Sequence, residues 1–114
     1  MIVLPNDDLD AAKAVARQAV TGTLTVPTYR AQQEWLGRGD ELATMWAAWE
    51  ARDRKAALDA VPDDFLDDII VMGPVERCRE RIERFYEAGI DTLILEVGLP
   101  APDVAKIARA LAPS

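Results

Sequence analysis

The residues that could carry chemistry in this chain do not include histidine, because its 114 residues contain none. That removes the usual general base, the usual metal ligand and any Ser-His-Asp arrangement. Three acidic pairs, Asp7-Asp8, Asp63-Asp64 and Asp67-Asp68, could hold a divalent cation. Each stands at a helix start or a strand entry, where carboxylates cap backbone N–H groups, so capping is the preferred reading. Trp46 and Trp49, with Trp35 nearby, could stack on a ring cofactor, but their helical spacing favours a core or subunit contact. Arg77, Arg79, Arg81 and Arg84 could clamp an anion, yet the glutamates between them make a solvated face. Cys78 falls among apolar positions and reads as inert core. Gly73, opening a helix, could offer N–H groups to a phosphate. Pro74 removes one donor, and an ordinary tight turn is preferred there. Glu96, closing an apolar run, could be a buried acid with a raised pKa, with a solvated strand end as the preferred alternative. Gly73, Glu96 and Gly98 are the candidate cofactor-binding positions, and no residue earns a catalytic or metal-binding role.

These positions need elements to hold them, and Asp68 to Gly98 supplies the clearest. Ile69–Met72 is an apolar run without polar alternation, as in a parallel strand covered on both faces. Gly73 makes the turn and Pro74 suits the first position of a helix. Val75, Cys78, Ile82 and Phe85 recur at helical spacing, and Glu80–Arg84 is a favourable i,i+4 pair. Gly89 stands where a helix end wants a left-handed residue. Leu93, Ile94 and Leu95, flanked by Thr92 and Val97, read as the next strand. Strand, helix and strand in this order predict a crossover onto a parallel neighbour.

Upstream, Ile2–Leu4 reads as the tail of a strand cut short, which predicts further chain before it. Pro5 to Asp8 is a turn with capping residues, followed by an amphipathic helix through Leu9, Ala12, Val15, Ala16, Ala19 and Val20 that ends near Gly22. Further helices are expected after Pro27, after an Asp40 cap, over Arg52 to Ala60, and through Phe65 and Leu66. A last helix starts at Pro100 to Asp103 and buries Val104, Ile107, Ala108 and Leu111. The order β, several α, β, α, β, α implies an α/β fold with about three parallel strands. Three strands cannot enclose a barrel, and an open parallel trio exposes edges, so the pattern reads as the closing C-terminal portion of a (β/α)8 barrel spanning residues 1–114.

The bulk numbers narrow the class. Half of the residues are apolar and 29% are charged, as in a globular domain, and the net charge of −7 argues against a nucleic-acid or anionic-membrane surface. No apolar segment approaches the ~20 residues of a membrane span. The single cysteine and the absence of a leader pattern at the start point to the cytoplasm.

The chain resembles the C-terminal part of the luciferase-like monooxygenases. The residues that carry the likeness are Leu4-Pro5-Asn6-Asp7-Asp8, Val26-Pro27-Thr28-Tyr29 with Gly37, the helices from Trp46 to Ala57, and Pro62-Asp63-Asp64. It continues through Val71-Met72-Gly73-Pro74-Val75-Glu76-Arg77 and Glu87-Ala88-Gly89-Ile90-Asp91-Thr92. Pro74 stands where the family usually has Thr, and Val75 where it has Pro. The resemblance implies a (β/α) barrel oxidoreductase that transfers hydride or activates oxygen on FMN or a deazaflavin coenzyme, acting on a small-molecule substrate. It also implies that most groups holding the isoalloxazine ring lie in a barrel half upstream of these residues. The expected partners are therefore that barrel half or further copies of this chain, with association or poor solubility when the chain is alone. The alternative is a non-enzymatic α/β module that self-associates through the Trp46/Trp49 face and its sheet edges.

Overall fold

The computed structural model describes residues 1–98 and 103–113. Along the chain run β1 (Ile2–Pro5), α1 (Leu9–Leu24), α2 (Pro27–Trp35), α3 (Gly39–Glu50), α4 (Arg54–Asp59), α5 (Asp63–Ile69), β2 (Ile70–Gly73), α6 (Val75–Glu87), β3 (Glu96–Val97) and α7 (Val104–Leu111). The expected start of the last helix at Pro100 to Pro102 lies outside the described residues. The chain divides into two compact units, one made of Met1–Lys13 with the segment from Asp67 on, the other of Ala14–Leu66.

The first unit is the α/β part. Its three strands are parallel and lie in the order β2-β1-β3, with Ile2 opposite Ile70, Pro5 opposite Gly73, and Ile2 and Val3 opposite Glu96 and Val97. The crossover from β2 through α6 thus returns to the same sheet, but β1 stands between the two strands it joins. Strand alternation sends Val3 and Val71 to one face, where they meet Cys78 and Ile82 of α6 and Leu111 of α7 in one buried cluster. Met1, Val75, Tyr86, Leu93, Leu95 and Ile107 pack around it. Burying such side chains is worth about 1.5–3 kcal/mol each, which makes this cluster the main reason the strands and the two helices hold together.

Several expectations are corrected here. Leu93–Leu95 is not strand: the pairing begins only at Glu96, and Ile94 is 82% exposed. A strand exists only where a neighbour takes its hydrogen bonds, and the described ladder holds β3 at two residues. Pro74 is the residue before the helix, with φ −53° and ψ 151°, so α6 starts one position later than expected. Tyr86, not Phe85, faces the cluster, and the helix ends at Gly89 with φ +96°, the left-handed stop the sequence calls for. In α7, Ile107 and Leu111 pack inward while Val104 stays half exposed.

The second unit is helical. In α1, Ala16, Val20 and Leu24 form a buried i,i+4 ladder, and the hydroxyl of buried Thr21 donates to the Arg17 carbonyl at 2.7 Å. Pro27 opens α2, as a first-turn proline should. Arg38 and not Asp40 precedes α3, whose buried face is Leu42, Met45 and Trp46. Asp53 caps α4 by accepting from the Ala56 N–H at 3.0 Å. No residue of α2 is buried.

Candidate functional site

In parallel α/β sheets ligands sit where strands end, so the C-terminal edge of β1, β2 and β3 is the place to look. At the end of β1, Asn6 donates its backbone N–H to the Gly73 carbonyl at 2.8 Å, tying the ends of β1 and β2 together. The Asn6 side-chain oxygen accepts from the Asp8 N–H at 2.9 Å, and Asp8 in turn accepts from the Ala11 N–H at 3.1 Å. Asp8 is therefore a helix cap.

Gly73 has φ +112°, a conformation that side-chain-bearing residues rarely adopt. A Cβ there would lie 3.1 Å from Arg77 Cδ and 3.6 Å from Leu9 Cδ1. Its carbonyl also accepts from the Cys78 thiol at 3.5 Å. Gly98 donates its N–H to the Val3 carbonyl at 2.9 Å, and a Cβ on it would overlap Leu4 Cδ2. Both glycines thus have steric reasons within this chain. Glu96 is not at the strand end: it opens β3 opposite Ile2, the first residue of β1, and its side chain is exposed. The expectation of a carboxylate at the C-terminal edge is corrected by this register.

The edge opens into a cleft of about 290 Å³ lined by Pro5, Asn6, Asp7, Val75, Asp103, Lys106, Ile107 and Ala110. Three segments far apart in sequence form it: the loop after β1, the start of α6, and α7. Pro5, Val75, Ile107 and Ala110 make its apolar wall, and its charged groups are Asp7, Asp103 and Lys106. Asp103 caps α7 by accepting from the Lys106 N–H at 2.9 Å, which holds the lysine backbone at the cleft. Gly73, Glu96 and Gly98 are not among the lining residues; the sequence marks Asn6 only as part of a capping turn and of the family likeness, and does not mark Lys106.

The other candidates resolve into structural roles. Trp46 is buried and donates its indole N–H to the Leu24 carbonyl at 3.0 Å, with the Arg30 guanidinium 4.6 Å from its ring centre. Trp49 carries Arg54 over its face at 3.6 Å, and Trp35 is 84% exposed, so the three indoles make no common slot. Arg30 is held charged above its ordinary range by hydrogen bonds to Glu50 and Glu34. Arg77 and Arg81 both reach Asp67, Arg77 Nη2 at 3.0 Å from its carboxylate and Arg81 also donating to its backbone carbonyl. The ion pairs of α6 run to Asp67, and the expected Glu80–Arg84 pair is not among them. Arg17 likewise pairs with Asp63. Burial pushes the Cys78 thiol up to about 11, which keeps it protonated and unreactive near neutrality. Among the described residues, no three His, Cys, Asp or Glu groups converge as a metal site would require.

A ring cofactor with a phosphate tail does not fit within this edge alone. The cleft lies at the lower bound of small-molecule pockets, about 300–1,000 Å³, and its charged lining is one lysine and two aspartates.

Comparison with known proteins gave a family match over residues 1–92, to the family described as luciferase-like monooxygenase. The matched span includes β1, β2, α6 and all helices between them, whereas Glu96, Gly98 and Lys106 lie beyond it. No curated protein and no solved structure matches the chain. The family match covers most of the sequence, and the chain therefore belongs to the luciferase-like monooxygenases.

Proposed function

We propose that this chain is the closing segment of a flavin- or deazaflavin-dependent oxidoreductase, which supplies one wall of a small-molecule site and depends on a complementary polypeptide for the rest. The observation that supports this reading is the cleft at the C-terminal edge of three parallel strands, where a barrel enzyme of this kind keeps its chemistry. Pro5, Val75, Ile107 and Ala110 would exclude water from that side. Asn6 and Lys106 would donate hydrogen bonds to an acceptor on the bound molecule. No step of the reaction is assigned to a residue of this chain. A single buried thiol and the lack, among the described residues, of a helix long and apolar enough to cross a membrane are compatible with a cytoplasmic setting.

The test is a titration of the purified chain with FMN and with a deazaflavin coenzyme, alone and mixed with the upstream barrel half of a full-length family member. Cofactor fluorescence and a thermal melt are followed together. Saturable binding only in the mixture, with a raised melting temperature, is the expected result. No binding in the mixture, from chains that are both folded, overturns the oxidoreductase reading.

A second reading, self-association without catalysis, loses its expected Trp46/Trp49 face, because Trp46 is buried and bonded to Leu24 within the chain, and draws support from α2 instead. That helix buries none of its residues and leaves Trp35 largely in water, with Tyr29 and the following Leu36 about half exposed. The same titration separates the two, because a self-associating module would change mass with concentration and ignore both cofactors.

A further inference from the structure

Among the described residues, four of the seven large apolar side chains left exposed, Val26, Tyr29, Trp35 and Leu36, stand on or beside α2. The helix has a fixed inward side. Arg30 and Gln33 are half buried, and Arg30 reaches Glu50 and the Trp46 ring of α3. The outward side is made by Thr28, Tyr29, Gln32, Trp35 and Leu36, all exposed. At 3.6 residues per turn these five fill one sector of about 120°. None of them carries a charge, in a chain whose residues are 29% charged. A solvated helix face is rich in charged residues, whereas interfaces are depleted of Lys and Glu and enriched in Tyr and Trp. The face is also symmetric in sequence. Gln32 is its middle, with Tyr29 and Trp35 three residues to either side, and Thr28 and Leu36 four.

We infer that this face of α2 pairs with the same face of a second copy, the two helices running antiparallel about a two-fold axis at Gln32. The inference rests on the self-association reading above and gives it a surface and a geometry; the cofactor reading does not enter. A two-fold axis across a helix sets a residue any number of places after Gln32 opposite the one as many places before it in the second copy. The symmetry of the face therefore makes it self-complementary. Trp35 meets Tyr29 of the second copy, a ring pair made twice, and Leu36 meets the methyl group of the second copy's Thr28. Gln32 meets itself, and an amide that both donates and accepts can bond its own image. A two-fold contact uses that symmetry in full, and an unrelated partner does not. Charge argues the same way. Two chains of net charge −7 repel, and they repel least where both surfaces are neutral. At nine residues α2 is only about 13 Å long, so the pair buries less than the ~1,200 Å² of a standard interface and forms a weak dimer.

The test uses the full chain and puts charges on the axis. Sedimentation equilibrium between about 10 µM and 1 mM, the range of a weak complex, should show the mass rising from 12.5 kDa towards that of a dimer. Gln32→Glu and Gln32→Lys each set like charges face to face and should weaken association at least ~10-fold, while an equimolar mixture of the two should recover it to within a few-fold. Gln32 is exposed, so neither change should move the thermal melt of the monomer. A second readout is covalent. Gln32→Cys should oxidise to a linked dimer, because Cα atoms facing each other across the axis fall within the about 4.4–6.8 Å that a disulfide spans. Ala31→Cys, also exposed but turned about 100° away, should not, and the buried Cys78 stays out of the reaction. Association that ignores both charges overturns the α2 pair and leaves self-association through another surface standing. A mixture that fails to recover, or equal cross-linking of the two cysteines, removes Gln32 from the axis and overturns the pair as well. A mass fixed at 12.5 kDa over the whole range overturns the pair and the self-association reading together.

Discussion

Val97 sits opposite Val3 on the flank of β1 away from Val71. That one pairing makes β1 the central strand, although it comes first in the chain. A central β1 is buried on both flanks, which agrees with Val3 at 0% exposure, and it leaves the ends of β1 and β3 on one side of the sheet where the loop after β1 meets α7. Chain order and spatial order diverge at this point, and a crevice forms where they do.

The Gly98 contact that sustains this pairing is tight enough to be tested by one methyl group. Gly98→Ala would drive a Cβ into Leu4, a buried residue with little room to yield, at a cost of about 1–3 kcal/mol for overpacking. Gly73→Ala adds backbone strain at φ +112° to a 3.1 Å approach to Arg77, and about 1–2 kcal/mol is expected. Gly22→Ala is the control. It lies inside α1 with open space where its Cβ would go, so it should stabilise by about 0.5–1 kcal/mol. Urea melts of the three variants should rank in that order, and equal midpoints would contradict the packing at Gly98.

Cys78 should resist alkylation in the folded chain at pH 8 and react promptly in denaturant. Its thiol is buried against the Gly73 carbonyl, and burial lifts it from 9.0 to about 11. The sign of the stability effect follows. Between these two values the unfolded chain has lost the proton that the folded chain keeps, so stability is fully present below about pH 9 and falls as pH rises towards 11. Cys78→Ala should flatten that fall in a series of melts between pH 8 and 11. A native thiol that reacts as fast as the denatured one would show that the site is open.

Asp67→Ala should cost about 1 kcal/mol, the upper end for partly exposed ion pairs, because one carboxylate serves both Arg77 and Arg81. Its exposure is 31% against 37% and 22% for the two arginines, so solvent screens much of the attraction. The Arg77→Ala, Asp67→Ala cycle should return a coupling that shrinks in 0.5 M salt. A coupling of zero at low salt would mean the pair is incidental.

Much of the first unit was legible before any coordinates, and the reason is local. Three of the four apolar residues before Gly73 form β2 as expected, while Ile69 ends α5; that run, the 3.6-residue period in α6 and the left-handed stop at Gly89 are each decided by a few neighbouring side chains. The strand order was not legible, since apolar patterning says that Leu93–Leu95 wants a neighbour and not which neighbour is vacant. The register that demotes Glu96 to the start of β3 is a consequence of that choice. The cleft was missed for the same reason: Asn6, Val75 and Lys106 come from three segments, and only the sheet brings them together. The indoles divide along the same line. Trp46 and Trp49 follow the helix period into contacts, while Trp35 depends on whether anything packs against α2.

Trp35 and Trp46 should therefore behave as opposites. Trp46→Phe removes an indole N–H that satisfies the buried Leu24 carbonyl and weakens the stacking of Arg30, so about 1–3 kcal/mol of stability should be lost. Trp35→Ser exposes nothing new, because the ring is already 84% in water, and the melt should move by no more than about 0.5 kcal/mol. What Trp35→Ser should change is association. A large apolar ring beside exposed Leu36 and Tyr29 is the kind of patch that draws chains together, and its removal should lower the mass seen by light scattering at high concentration. If the mass stays the same and the melt drops by several degrees, Trp35 is packed after all, and α2 is held by more than the Arg30 contacts to Glu50 and Trp46.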